Sequence, residues 1–155
     1  MTVLPNTADA RWSSAGSVRG RALRTAVAWG VLVGCLQAAS PLAFFWLDAA
    51  TVYALGLVLI AAVYIGFSVA DGRPRVVAVE ICVAAAFVVV AALGVTGSAW
   101  VLVAGLAGHG VKDLWQHRTQ FVANTHWWPP FCAAVDFAVA PLLAVMIATD
   151  FPFPL

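Results

Sequence analysis

The sequence predicts an all-α, polytopic transmembrane bundle of five spans, with its N-terminus inside and its C-terminus outside. Three observations carry that prediction. Hydrophobic residues make up 63% of the 155 and charged residues only 10%, against roughly 25% charged in ordinary globular domains. That leaves too few polar groups to clothe a soluble surface. Apolar runs of about 20 residues, the length that crosses a hydrocarbon core, recur along the chain. The Lys and Arg residues flank only alternate connections between those runs. Disorder is excluded by the same composition, and a disulfide scaffold by a count of three Cys, which cannot all pair. A net charge of +1 without basic clusters excludes nucleic-acid binding.

Residues 1–22 read as a polar, flexible cytoplasmic tail containing Asn6, Thr7, Ser13, Ser14, Gly16 and Ser17. The membrane domain covers 23–150, and its first span is Arg24–Leu47. Leu32-Val33-Gly34-Cys35 matches the site cleaved in bacterial lipoproteins. The apolar run nevertheless continues through Phe44, Phe45 and Trp46, where a signal peptide would turn polar, so an uncut helix is expected. The next spans are Thr51–Ala70, Val76–Val95, Ala99–His117 and Pro129–Thr149, and 151–155 forms a short outer tail. Pro129 and Pro130 open the last span, where a missing N–H is tolerated. None of the runs alternates polar and apolar residues, so helices are the way to satisfy their backbone in lipid. Gly30-x-x-x-Gly34 and Ala104-x-x-x-Gly108 have the small-residue spacing that permits close helix contact. Cys35, Cys82 and Cys132 all fall within spans and read as small buried hydrophobes.

Orientation follows from charge. Arg11, Arg19, Arg21 and Arg24 precede the first span, Arg73 and Arg75 lie in the second connection, and Lys112 and Arg118 adjoin the fourth. The first and third connections and the C-terminus carry none, so the positive-inside rule places all eight on the cytoplasmic side. Trp29, Trp115, Trp127 and Trp128 then fall near inner ends, and Trp46 and Trp100 near outer ends, as headgroup anchors do. The implied location is the cell (plasma or inner) membrane.

Ionisable side chains inside spans are expensive, about 2.5–3.5 kcal/mol each at a helix centre on translocon scales. This chain gathers its own in the cytoplasmic half. At helical rise, Glu80 lies about 6 Å into the third span, His109 about 12 Å into the fourth and Asp136 about 10 Å into the fifth. His109, Asp113 and His117 are spaced i, i+4, i+8, each step about 40° past a full revolution, and share one stripe. Cys132 and Asp136 form a second i, i+4 pair. His109 and Asp136 are expected to face each other across two helices, with Glu80 one side chain away. Bundles build metal sites from such inward Glu, Asp and His, and the same groups suit acid–base work. The candidate catalytic set is therefore His109, Asp136, Glu80 and Asp113. The candidate metal set is His109, Asp113, His117 and Asp136, for a divalent transition metal. Structural readings compete with these: a buried hydrogen bond between His109 and Asp136 alone, Asp113 paired with Lys112 or Arg118, Glu80 at the interface or paired with Arg73 or Arg75, and His117 and His126 simply solvated. Pro141 frees the carbonyl of Phe137, where a kink or an ion-facing carbonyl is expected.

The chain has no HExxH, no CxxC, no phosphate-binding loop, no dinucleotide fingerprint and no GxSxG elbow, which leaves nucleotide-driven pumping and serine hydrolysis unsupported. Three His in total exclude the His-rich di-iron membrane oxygenases. His109-Gly110-x-x-Asp113-x-x-x-His117, followed by Trp128-Pro129-Pro130-Phe131-Cys132 and Asp136, resembles a family of small uncharacterised bacterial membrane proteins. In that family the first motif ends in two adjacent His, whereas Gln116 precedes His117 here. The resemblance covers the last third of the chain and implies a fold and a location but no activity.

Three functions remain open at this point. The first is an enzyme on a lipophilic small molecule at the inner leaflet, using the His/Asp/Glu cluster. The second is an accessory or structural subunit held by a membrane partner or by a second copy. The third is a small proton-coupled transporter, disfavoured by an outer half nearly bare of polar groups.

Overall fold

The computed structural model of the chain describes residues 7–149, with side chains from 18 onward. The described residues are mostly helical, without strands. α1 spans Thr7–Ala38, α2 Ser40–Ala43, α3 Ala49–Asp71, α4 Pro74–Thr96, α5 Trp100–Thr119 and α6 Trp128–Ala148. α3, α4 and α6 are long and apolar enough to cross a membrane. α5 is interrupted by Lys112, Asp113 and Arg118, and α1 carries arginines along its first half. The last four predicted segments agree with α3–α6 to within two residues at each end.

The first segment differs. The expected tail is helical from Thr7 onward, in a stretch where Ala8, Ala10, Ala15 and Arg11 are all good helix formers. Residues 1–6 of that tail, and the outer tail 151–155, lie outside the described residues. The predicted span to Leu47 is broken: α1 stops at Ala38, and Pro41 opens the short α2. In a continuous helix Pro41 would clash with the Gln37 carbonyl and offer it no N–H; the Ser40 hydroxyl donates to that carbonyl at 2.6 Å. The end of α1 is also closed from the side, where the Tyr53 hydroxyl donates to the buried Ala38 carbonyl at 2.6 Å.

The remaining ends have plain local causes. Asp48 caps α3, its carboxylate accepting from Thr51 N at 2.8 Å and from the Thr51 hydroxyl at 2.6 Å. Gly72 closes the same helix at φ 78°, a left-handed conformation that favours glycine, and Pro74 starts α4. α6 runs unbroken through Pro141, so the expected kink does not end the helix.

α5 is the centre of the arrangement. It packs on α3 and α4 on one side and on α6 on the other, while α1 packs on the far side of α6. Gly30 and Gly34 make that last contact close: a Cβ at either would collide with the α6 backbone and with Ala134 or Ala138. Gly108, from the second small-residue spacing, faces open space. The main core joins Tyr53, Leu57, Leu102, Leu106, Val139 and Leu143, all 1% exposed or less. A second, smaller core is formed by Tyr64, Val76 and Val122. Elsewhere the helices turn large apolar side chains outward. Leu36, Leu59, Val89 and Val145 are each more than half exposed, a surface suited to lipid rather than water. Cys132 is buried as expected, but Cys35 and Cys82 are exposed on this outward surface, and all three are free thiols.

Candidate metal centre

The packing of α5 between α4 and α6 brings its polar face against theirs. His109, Asp113 and Asp136 are fully buried, and Glu80 is 1% exposed. His109 Nδ1 lies 2.8 Å from Asp136 Oδ2 on α6 and 3.4 Å from Asp113 Oδ2, one turn further along α5. The two expected partners thus meet. Gly110 permits the approach: a Cβ there would press on Asp136 Cβ and the Phe137 ring at 3.1–3.2 Å. The ring of Phe87 meets the His109 imidazole edge-on at 4.9 Å between centroids.

Glu80 joins through a residue the sequence reading did not place in the site. Lys112 Nζ sits 3.0 Å from Glu80 Oε2 and 4.0 Å from Asp113 Oδ1. It also lies 3.4 Å from the centroid of the Tyr64 ring, a cation–π contact. The other Glu80 oxygen accepts a hydrogen bond from Gln116 Nε2. Lys112 is therefore an internal cation and not an interfacial one, which leaves the seven Arg to carry the charge asymmetry. Arg73, an expected partner for Glu80, binds Asp71 and the Phe121 carbonyl instead.

His117 does not join the cluster. The atoms of His109, Asp113 and Asp136 that could ligate an ion lie within 4.8 Å of one another, whereas His117 is half-buried at the end of α5. The reason is angular. At about 100° per residue, i+8 lies about 80° off the direction of His109, while i+7 lies about 20° off it. Gln116, at i+7, takes the inward place and is fully buried. His126 is exposed in the loop before α6. Cys132 is buried one turn from Asp136 on the same helix.

No family model, no curated protein and no solved structure matches the chain. The chemistry must therefore be read from the geometry.

Two features define it. Several buried polar atoms lack a hydrogen-bond partner: His109 Nε2, Asp136 Oδ1, both Asp113 oxygens and the Tyr64 hydroxyl. Native interiors rarely leave so many in one place without a use. The charges also do not balance. Lys112 is matched by Glu80, so two aspartates remain beside an imidazole with no further cation in contact. Each unpaired ion in such an interior costs several kcal/mol. The site must therefore hold protons or bind a cation. A divalent cation would cancel two carboxylates and use the imidazole nitrogen as a third ligand. One nitrogen and carboxylate oxygens suit a first-row transition metal.

Proposed function

We propose that this is a multi-pass protein of the cell membrane, built around a divalent transition-metal centre ligated by His109, Asp113 and Asp136. We further propose that it acts as an enzyme on a lipophilic substrate in the cytoplasmic half of the bilayer. The observation that carries the reading is the uncompensated pair of carboxylates gathered around one imidazole in a fully buried position. Glu80 and Lys112 stand behind this trio as a charged pair that holds Asp113 in place. Bound there, the metal would supply Lewis acidity, and Asp113 and Asp136 have free oxygens with which to hold it.

One observation favours a second reading. Glu80, Lys112, Asp113, His109 and Asp136 form an unbroken chain of titratable groups with contacts of 4.0 Å or less. Such a chain suits a proton relay, as a proton-coupled carrier requires. Elemental analysis of purified protein separates the two. The metal centre predicts a transition metal in stoichiometric amount that is lost in His109→Ala. Metal-free protein would leave the relay.

A further inference from the structure

A second feature lies away from the buried centre, at the end of the bundle that carries the arginines. The first turns of α1 described with side chains, the last turn of α5 and the loop leading into α6 enclose a cleft of about 570 Å³. That is within the range of small-molecule sites. Arg19 enters it from α1, His117 and Arg118 from α5, and His126 from the loop. Leu23 and Trp127 form apolar walls. No acidic residue lines the cleft, and among the described residues no carboxylate lies within ion-pair reach of Arg19 or Arg118. The guanidiniums are exposed, so they are held ready without internal partners.

A helix C-terminus would ordinarily work against an anion here. Two carbonyls of this one are occupied. Gln120 turns into the left-handed region at φ 49°, its backbone N–H bonds the Gln116 carbonyl at 2.8 Å, and its side-chain amide bonds the His117 carbonyl at 2.8 Å. The cleft is thus lined by donors and cations, and two of the helix-end carbonyls that would compete with an anion are already occupied.

We propose that this cleft is a binding site for the phosphate headgroup of an anionic phospholipid. Two guanidiniums present forked donors matched to phosphate oxygens, and the imidazoles add further donors. Leu23 and Trp127, 42% and 39% exposed, offer the glycerol and first acyl carbons an apolar path, which a free phosphate would not use. The assignment also explains why His117, facing away from the buried trio, still stands beside Arg118. It rests on the membrane reading of the chain but not on the metal centre.

The test uses the full chain in detergent, with bound lipid counted by native mass spectrometry. The probes are dioctanoyl phosphatidylglycerol and dioctanoyl phosphatidylcholine, with inorganic phosphate as competitor. One phosphatidylglycerol should be retained per chain, in preference to phosphatidylcholine. Arg19→Gln combined with Arg118→Gln should weaken it about thirtyfold, as expected for two cations at a membrane surface. Both arginines are exposed, so the double variant should fold, and unchanged metal content would report that the buried centre is intact. Three results would overturn the proposal: equal retention of phosphatidylcholine, unchanged affinity in the double variant, or displacement of the lipid by inorganic phosphate at equal concentration. Failure of the metal centre would instead show as metal-free protein that still retains the lipid.

Discussion

Lys112 and Glu80 form a buried ion pair, and neither has another charge that could replace its partner fully. Removing one partner leaves the other uncompensated, typically at about 3–5 kcal/mol, whereas replacing both by neutral side chains of similar size is often close to neutral. Lys112→Met is therefore expected to lower thermal stability in detergent steeply, and Glu80→Gln in the same chain to restore much of it. A double variant as unstable as the single one would mean that Lys112 acts through its Tyr64 contact rather than through Glu80. At this scale the sequence was informative about depth and less so about direction. Equal depths on neighbouring spans anticipated the His109–Asp136 contact, found at 2.8 Å. The choice between Gln116 and His117 turned on a difference of one residue in angle. Chemical interest favoured the histidine, but helix geometry favoured the glutamine. Lys112 was missed because a lysine beside Arg118 counts as a flanking charge until the third dimension shows Glu80 within reach.

At the scale of single helices, two predictions follow from the ends and faces. Burial plays little part at Asp48, but its hydrogen bonds to the Thr51 side chain and backbone hold its carboxyl below the usual carboxylate range. A lowered folded value stabilises fully above the unfolded value of about 3.9, and the gain disappears as the pH falls through the folded value. Asp48→Ala should therefore cost about 1 kcal/mol near neutral pH, with the difference from wild type shrinking below about pH 4. Thermal melts at the two pH values check this, and Asp48→Asn should keep the cap without the pH dependence. The second prediction concerns α1. Gly34→Ala drives a Cβ into Ala138 and the Val135 carbonyl and should cost about 1–3 kcal/mol. Gly108→Ala meets nothing within 4 Å and should be neutral or slightly stabilising. Equal effects in thermal melts would mean that α1 is not packed on α6 as described. Both spacings look alike in sequence, because a small-residue pattern does not state which face meets a neighbour. The break near Pro41 was legible as a proline, yet the surrounding apolar run concealed it.

For the whole molecule, three helices are apolar enough to cross a membrane on their own, and we propose that α1 and α5 join them as five spans. α5 falls short of that group because it carries the polar centre, whose side chains are buried against α4 and α6. Reporter fusions at residues 72 and 97 should read cytoplasmic and external respectively, and the reverse pattern would contradict the orientation drawn from the arginines.

The central claim is that the buried trio is a site and not merely a hydrogen-bonded scaffold. Its most direct test is metal content per chain in His109→Leu/Asp136→Leu, alongside thermal stability in detergent. Either single change strands a buried polar partner and should destabilise the chain by roughly 1–3 kcal/mol, and the pair should recover much of that loss. The account predicts a stable double variant that has lost the stoichiometric metal carried by the wild type. A stable double variant with wild-type metal content would contradict it.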